Sequence, residues 1–456
     1  MKAVTKRIYI CLILVVAMIA GMLVYLTRYF KDGDEWVSFP VNRHAYSDGV
    51  IALGEITDRN GIVLAEMSRD GITYNENLLI RKSTLHAVGD VEGNIGTGAK
   101  EYFATELMGY NPVTGVYSVS DKGNRIELTL DAEVNSKVLA AFEGRKGAAF
   151  LYNYKNGEVI CMVSSPAFDP ENPPETEQLS EERYEGVYIN RCISSTFTPG
   201  SIFKTATLAA AISEIPDLFE IRFNCEGSID VDGEIVNCNG VHGEIGIEEA
   251  FEKSCNVAFA ELSLMLGESV ISRSAERAGL TKRMYMSKIP VAVGSYQMPK
   301  DKGDLAWSGI GQYKDLVNPI AMARFMGAIA NKGKAVNPKI ISSVKSNIGV
   351  PLYPGYYFSK SERLLNSNVA DEILKLMINN VKTGYKNYYG FGSVEGLAAK
   401  SGTAETLDGE RPHAWFTGVI ADDDNPYAFA VIVENAGWGL EQAGRVASVM
   451  IEAVIE

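Results

Sequence analysis

The sequence contains 456 residues, of which 46% are apolar, and its formal net charge is −14 at pH 7. This length and apolar content suffice for at least two domains with a large buried core. The acidic charge excludes a protein that binds nucleic acid through a basic surface, because negative surfaces repel phosphate groups at long range. The composition also excludes collagen-like and intrinsically disordered chains.

The first predicted element is an apolar segment, Ile8 to Leu26, that carries no charged residue. A helix of about 20 such residues spans a bilayer. Basic residues precede the segment, so the positive-inside tendency places the N-terminus in the cytoplasm and the rest of the chain outside. A cleaved signal peptide is the alternative, but the apolar run is longer than a usual signal core and no small-x-small cleavage pattern follows it. Residues 1–28 are therefore predicted to be an uncleaved membrane anchor.

Residues 29–145 are predicted to form a small mixed domain, called the pedestal below. A turn at Asp58-Arg-Asn-Gly61 precedes a strand-like run, Ile62 to Leu64, and a second strand-like run extends from Arg125 to Asp131. Apolar residues at helical spacing between Ala132 and Glu143 then indicate an amphipathic helix.

The pattern changes in residues 146–456, which are predicted to form a second, larger domain. A turn at Lys155-Asn-Gly157 separates two strand-like runs, and two further runs lie near the end of the chain. Long helical segments lie between these pairs. Strands at both ends of a domain with helices in the middle favour an α+β fold. The four runs are Gly147–Tyr152, Glu158–Val163, Trp415–Val419 and Ala428–Glu434.

The segment from Thr198 to Ala211 offers a candidate nucleophile. Pro199-Gly200 stops the preceding chain and places Ser201 in the first turn of a helix, where free N–H groups and the helix dipole favour developing negative charge. Lys204 follows at i+3 on the same face. Desolvation would lower the pKa of this lysine and let the neutral amine accept the serine proton. An ordinary N-cap serine with a solvated lysine is the alternative, which S-x-x-K alone does not exclude.

Cys225 and Cys238 flank a segment that alternates like a β-hairpin, with Asp232-Gly233 as its turn. In an oxidising space outside the membrane we expect them to form a disulfide, a cross-link worth about 3 kcal/mol. A metal site that adds His242 and nearby Asp residues is the alternative. The sequence has no C-x-x-C or H-E-x-x-H spacing to support it. The expectation is thus a disulfide and no metal.

Two further motifs follow Ser201. The triplet Ser254-Cys-Asn256 has the form S-x-N and lies 53 residues after Ser201, and Lys400-Ser-Gly-Thr403 lies 199 residues after it. Each motif is uninformative by itself, but S-x-x-K, S-x-N and K-S-G-T in this order form a known serine–lysine catalytic set.

The chemistry of each side chain suggests a role. Ser254 can relay a proton between catalytic base and leaving amine, and Asn256 can hold Lys204 and a substrate amide. Lys400 can neutralise a substrate carboxylate. The small Gly402 lets a strand backbone approach the substrate closely, so that its N–H groups can contact it.

Two chance matches compete with these assignments. Lys382-Thr-Gly384 is a literal K-T-G, but it closes a predicted helix, whereas Lys400 follows a strand-like run. Glu362-Arg-Leu-Leu-Asn366 matches E-x-x-L-N, the motif of the deacylating glutamate in class A β-lactamases, but it lies 106 residues beyond Asn256. We therefore expect neither to be functional.

The three motifs resemble those of the penicillin-binding proteins. Over nearly its whole length the chain is similar to class B members, which are monofunctional D,D-transpeptidases, and its pattern is nearest to the short elongation-type members with a small pedestal. This resemblance implies an antiparallel sheet covered by helices in residues 146–456. Further similar passages are Thr57–Ala65, Leu128–Asp131, Met162–Pro170, Tyr188–Arg191, Gly309–Gln312 and His413–Gly418.

The resemblance also implies a reaction. Ser201 attacks the carbonyl of the penultimate D-alanine of a peptidoglycan stem peptide and releases the terminal D-alanine, and an amine of a neighbouring stem then resolves the ester. The backbone N–H groups of Ser201 and Thr403 hold the oxyanion, and Ser401, Thr403 and Lys400 bind the terminal carboxylate. The implied partners are stem peptides, β-lactam antibiotics, the cytoplasmic membrane and a polytopic glycan-polymerising glycosyltransferase. No cofactor is implied.

Two other classes of function remain open. A β-lactam-hydrolysing enzyme would need a deacylating base, which the sequence does not offer. A β-lactam sensor or a catalytically silent scaffold is the other, and the intact Ser201, Lys204, Ser254 and Lys400 disfavour the silent form.

Overall fold

The computed structural model describes residues 2–37, 54–68, 70–109, 123–352, 358–406 and 410–455. Its first helix, α1, spans Lys2–Val37. Its part from Val4 to Tyr29 contains an 18-residue window with a mean hydropathy of 2.7, and within the described residues it is the one helix long and apolar enough to cross a membrane. The helix is therefore longer at both ends than the predicted segment Ile8 to Leu26.

The bounds of the other helices and of the strands are as follows. The helices are α2 (Leu78–Ser83), α3 (Leu85–Val88), α4 (Ala99–Tyr102), α5 (Ala104–Met108), α6 (Ala132–Ala141), α7 (Arg191–Ser194), α8 (Lys204–Glu214), α9 (Ile247–Glu252), α10 (Asn256–Leu266), α11 (Glu268–Arg277), α12 (Lys302–Gly309), α13 (Pro319–Ala330), α14 (Ser367–Asn380) and α15 (Gly439–Ile455). The strands are β1 (Gly54–Thr57), β2 (Val63–Ser68), β3 (Gly71–Tyr74), β4 (Asn124–Leu128), β5 (Gly147–Asn153), β6 (Val159–Ser165), β7 (Arg222–Cys225), β8 (Ser228–Val231), β9 (Glu234–Asn237), β10 (Gly243–Gly246), β11 (Met284–Met286), β12 (Ile289–Val291), β13 (Lys334–Val336), β14 (Ile341–Lys345), β15 (Pro351–Leu352), β16 (Ser361–Arg363), β17 (Leu397–Ala404), β18 (His413–Ile420) and β19 (Tyr427–Val433).

A five-stranded antiparallel sheet in the order β17-β18-β19-β5-β6 joins the two ends of the C-terminal region. Both of its faces are buried, as the two-residue side-chain period of β5 illustrates. Ala149 and Leu151 pack on one face with α6 and α15, while Phe150 and Tyr152 pack on the other, where α13 lies. The predicted α+β fold with helices covering an antiparallel sheet is confirmed.

A six-stranded sheet in the order β15-β14-β4-β1-β2-β3 combines strands that are distant in the sequence. Strand β14 pairs with β4, so that Val344 lies opposite Ile126. The Lys345 ammonium donates to the Glu127 carboxylate at 2.7 Å. This sheet therefore uses strands from both sides of the predicted boundary between residues 145 and 146. The division into domains stays a prediction, and residues 38–53 and 110–122 of the predicted pedestal lie outside the described residues.

The predicted turn at Asp58 is present, and its side chain explains why. The carboxylate accepts hydrogen bonds from the backbone N–H groups of Asn60 and Ile62, each at 2.8 Å, and from that of Ala132 at 3.1 Å. One aspartate thus closes its own turn and fixes the start of α6.

The predicted hairpin around Asp232-Gly233 is formed by β8 and β9, and both turn residues have positive φ. The predicted disulfide between Cys225 and Cys238 is not formed, since both residues are free thiols. Cys225 ends β7, which pairs with β10 in a separate two-stranded sheet. The Cys238 sulfur instead lies 3.7 Å from that of Cys255.

Candidate active site

Ser201 lies in a 3₁₀ turn, Gly200–Ile202, and α8 begins three residues after it at Lys204. The predicted helical turn is therefore tighter than an α-helix. Gly200 has φ +55°, and a Cβ there would lie 2.5 Å from the carbonyl oxygen of Thr403. Its N–H donates to the carbonyl of Gly311 at 2.9 Å. Only glycine allows this turn to press so closely against β17.

Lys204 is completely buried, as the desolvation argument required. Its ammonium donates to the Ser254 carbonyl at 2.6 Å, to Ser254 Oγ at 3.2 Å and to Asn256 Oδ1 at 2.7 Å. Burial lowers the pKa of Lys204 to about 7, because a charged amine is disfavoured where water is excluded. This lysine is thus poised to exchange a proton near neutral pH.

Ser254 lies between two lysines. Its Oγ accepts from Lys204 Nζ at 3.2 Å and from Lys400 Nζ at 3.0 Å. The residue has φ +53°, a left-handed conformation uncommon for serine, at the turn that leads into α10. A hydroxyl held by two buried amines is well placed to relay protons, as the S-x-N spacing suggested.

Lys204, Ser254 and Lys400 are linked by these hydrogen bonds and are called the serine–lysine row below. Asn256 connects this row to the β8–β9 hairpin. Its side-chain oxygen accepts from Lys204, and its side-chain NH₂ donates to the Asn237 carbonyl at 2.8 Å. Lys204 therefore has a fixed partner on each side, with Ser254 on one and Asn256 on the other.

Lys400 lies next to Ser254 in the interior of the protein. It is fully buried, and its ammonium donates to Ser254 Oγ and to the Ser401 carbonyl, each at 3.0 Å. Burial and the positive charge of Lys204 lower its pKa well below the usual lysine range. The predicted contact of Lys400 with a substrate carboxylate stays a prediction.

Strand β17 is the edge strand of the five-stranded sheet. The backbone N–H and C=O groups of its odd-numbered residues point away from β18, its neighbour in the sheet. The Ser401 N–H donates to Tyr385 Oη at 3.1 Å, and the Thr403 carbonyl accepts from Gln312 Nε2 at 3.0 Å. Hydrogen bonding alternates along an antiparallel strand, so the Thr403 N–H faces the same edge. This is the orientation that an oxyanion donor requires.

Gly402 also has a role within the protein. A Cβ at this position would lie 2.8 Å from Ile202 Cγ2 and 3.1 Å from the Ile202 nitrogen. The absent side chain therefore lets β17 approach the turn that carries Ser201, and the predicted approach of substrate to this strand stays a prediction.

These elements surround a cavity of about 600 Å³. The structure brings Ser201, Ser254, Asn256 and residues 401 to 403 together in its wall. The lining also includes Trp438 and Gly439, and the Gly439 N–H donates to the Thr403 hydroxyl at 3.2 Å. A cavity of this size accommodates a peptide end or a bicyclic antibiotic.

Residues 147–452 match the family described as "Penicillin binding protein transpeptidase domain". The chain is 29% identical over 336 residues to the peptidoglycan D,D-transpeptidase PbpA of Mycobacterium tuberculosis, an alignment that covers 68% of this chain and 66% of PbpA. It is 26% identical over 355 residues to the stage V sporulation protein D of Bacillus subtilis, covering 74% and 53%. The chain thus spans slightly less than two thirds of PbpA and about half of the sporulation protein.

The fold is also similar to that of solved structures. The ceftriaxone acyl-enzyme complex of penicillin-binding protein A from M. tuberculosis superimposes with a TM-score of 0.77 and 23% identity, covering 89% of this chain and 98% of the other. The D,D-transpeptidase domain of a peptidoglycan glycosyltransferase from Eggerthella lenta gives 0.76 and 22%, covering 89% and 98%. The chain belongs to the penicillin-binding protein transpeptidase family, and its similarities place it in class B.

Three contributors to the site were missed by the sequence reasoning. Tyr385 holds the hydroxyl of Ser401 at 3.1 Å, Asn237 holds Asn256, and Gln312 bridges Thr403 and Glu405. Gln312 is the last residue of the Gly309–Gln312 passage, on which part of the resemblance rests. This passage was the one sequence signal that could have pointed to Gln312. Tyr385 and Asn237 had none, because they meet their partners only after the chain folds.

Proposed function

We propose that this protein is a membrane-anchored serine D,D-transpeptidase that cross-links peptidoglycan stem peptides and that β-lactams inhibit by acylating Ser201. One observation carries the proposal. Ser254 Oγ lies within hydrogen-bonding distance of two fully buried lysine amines, Lys204 and Lys400, in the wall of the cavity that also holds Ser201. Neither a surface serine nor a structural ion pair needs such a row of groups.

The acylation step follows from this row. Ser201 Oγ attacks the carbonyl of the penultimate D-alanine and gives its proton to the neutral amine of Lys204 as the new C–O bond forms. The N–H groups of Ser201 and Thr403 stabilise the oxyanion. When the C–N bond breaks, the leaving D-alanine nitrogen takes a proton from Ser254 Oγ, which regains one from Lys204.

Transfer to the acceptor repeats these steps in reverse. An amine of a neighbouring stem peptide attacks the ester carbonyl and gives its proton to the Ser254–Lys204 row. Ser201 Oγ then leaves and recovers that proton. The Ser401 and Thr403 hydroxyls bind the donor carboxylate, and Lys400 holds Ser254 through a hydrogen bond to its Oγ.

The same proposal includes the location and the partners. Residues 1–28 anchor the protein with its N-terminus in the cytoplasm, residues 29–145 form the pedestal, and residues 146–456 form the transpeptidase domain outside the membrane. A polytopic glycosyltransferase that polymerises the glycan strand would dock against the span and pedestal. The length and hydropathy of α1 support the anchor.

Acylation by benzylpenicillin tests the proposal. The full-length protein in detergent should gain the mass of one penicilloyl group, and Ser201→Ala should gain none. Ser213→Ala, a substitution farther along α8 whose hydroxyl only caps the Ala209 carbonyl, is the matched control and should react like the wild type.

Other outcomes would identify other functions. An adduct that persists in Ser201→Ala would refute the assignment of the nucleophile. Rapid loss of the adduct with turnover of the drug would indicate a β-lactamase. A well-folded wild type that forms no adduct would indicate a silent scaffold.

A further inference from the structure

The S-x-N motif lies on a second cluster of side chains that transpeptidase chemistry does not use. Cys225, Cys238, His242 and Cys255 each offer one ligand atom, and these four atoms all lie within 4.8 Å of one another. They come from four places in the fold: the end of β7, the end of β9, the loop before β10 and the start of α10. We propose that these residues bind a zinc ion that fixes the S-x-N turn in its catalytic position.

The separations within the cluster fit a tetrahedral zinc site. Zinc–sulfur bonds of about 2.3 Å and zinc–nitrogen bonds of about 2.0 Å require ligand atoms about 3.8 Å apart between two sulfurs and about 3.5 Å apart between sulfur and nitrogen. Cys238 Sγ lies 3.7 Å from Cys255 Sγ and 3.6 Å from His242 Nδ1. A disulfide would instead need sulfurs about 2.05 Å apart.

The ligand types select zinc over other common metals. Three thiolates and one imidazole form the Cys₃His set of structural zinc sites, which are four-coordinate and leave no position open. Calcium and magnesium require oxygen ligands. Three cysteines also exceed what one disulfide can use, so oxidation would leave one thiol of this cluster unpaired.

Backbone N–H groups donate hydrogen bonds to two sulfurs of the cluster. The Asn256 N–H points at Cys238 Sγ at 3.2 Å, and the Ala258 N–H points at Cys255 Sγ at 3.4 Å. Such donors stabilise the negative charge of thiolate ligands. Cys225 and Cys255 are fully buried, whereas Cys238 and His242 are partly exposed, so an ion can enter from the hairpin side.

The location of the cluster gives the ion a positioning role. Cys255 stands between Ser254 and Asn256, the two residues that hold Lys204. A bond from Cys255 to a metal shared with Cys238 would tie this strained turn to the β8–β9 hairpin, whose Asn237 carbonyl already holds Asn256. The ion itself takes no part in acylation.

Metal analysis of the full-length protein in detergent tests the site directly. Protein purified under reducing conditions and reconstituted with zinc sulfate should retain about one zinc ion per chain after desalting. His242→Ala and Cys238→Ser should lower the zinc affinity at least about tenfold. Cys161→Ala and Cys192→Ala remove buried thiols of the five-stranded sheet region and are the matched controls, which should keep the ion.

Cobalt substitution keeps the test decisive if a variant fails to fold. The wild type loaded with Co²⁺ should show thiolate-to-metal charge transfer and the visible bands of tetrahedral cobalt. Chelation should lower both the melting temperature and the rate of acylation by benzylpenicillin, and zinc sulfate should restore them. A reduced, folded wild type that retains no zinc, or zinc retained equally by His242→Ala and Cys238→Ser, would overturn the proposal. So would a Cys238–Cys255 disulfide in the active protein. Loss of acylation with zinc still bound would count against the transpeptidase assignment and not against the metal site.

Discussion

The protonation state of Lys204 decides whether Ser201 can be activated. Burial lowers the pKa of Lys204 to about 7, so below that pH the side chain is an ammonium and cannot accept the serine proton. We therefore expect the second-order rate of acylation by benzylpenicillin to rise as the pH increases through about 7 and then to level off. Stopped reactions analysed by intact mass from about pH 5 to about pH 9 measure this profile.

Asp315 supplies the control for this pH profile. Its burial raises its pKa to about 7 as well, although its contacts are with Ser308 and Gln297 and not with the serine–lysine row. Asp315→Asn should leave the inflection in place. An inflection that disappears in this variant would show that the profile reports Asp315 and that Lys204 is not the titrating base.

The sequence predicted which side chains the fold brings together better than it predicted their surroundings. Ser201, Lys204 and Ser254 lie in motifs whose order and spacing define a known chemistry. The hydrogen bond from Lys400 to Ser254 could not be predicted, because it depends on how closely β17 packs against the neighbouring turn. The contact of Tyr385 with Ser401 likewise requires the folded π-helical turn Val381–Tyr385.

At the scale of elements, the site depends on the close approach of β17 to the Ser201 turn. In Gly402→Ala the new Cβ would meet Ile202 Cγ2 at 2.8 Å, so the strand or the turn must move. We expect a loss of about 1–3 kcal/mol in the free energy of unfolding from overpacking. We also expect acylation to slow by about a hundredfold, because small displacements of reacting groups are costly.

Gly384→Ala is the matched control for this substitution. A Cβ at Gly384 would meet no atom within 4 Å, and the residue does not have positive φ. Thermal unfolding and the acylation rate should therefore match those of the wild type. If Gly402→Ala acylates at the wild-type rate, the close packing of β17 on the turn is not what positions Ser201.

Local patterns predicted most of the regular elements. The strand-like runs of β5 and β6, the hairpin around Asp232-Gly233 and the helix after Asp131 are all formed. The 3₁₀ turn at Ser201 was not predicted, because it depends on contacts between Gly200 and the distant residues Gly311 and Thr403. The predicted disulfide is not formed, and the contact of Cys238 with Cys255 could not be predicted, because the fold brings these two cysteines together from separate elements.

At the scale of the whole molecule, the transpeptidase region does not contain all of its own packing partners. Helix α6, which precedes residue 146, contributes Val134 and Val138 to the core under one face of the five-stranded sheet. Strand β14, which lies after that residue, takes β4 as a neighbour. A fragment cut at the predicted boundary loses both contacts.

We therefore expect the fragment 146–456 to be much less stable than the fragment 29–456. Removing α6 exposes buried apolar surface, each fully buried valine side chain of which contributes about 1.5–3 kcal/mol. Removing β4 leaves the β14 edge unpaired, and exposed edges promote aggregation. Thermal unfolding followed by circular dichroism, with light scattering, compares the two fragments. Because 29–456 lacks only the anchor and keeps both contacts, it should unfold at a temperature close to that of the full chain. A monomeric 146–456 fragment with the same unfolding temperature would show that residues 146–456 fold independently and that the shared sheet contributes little to their stability.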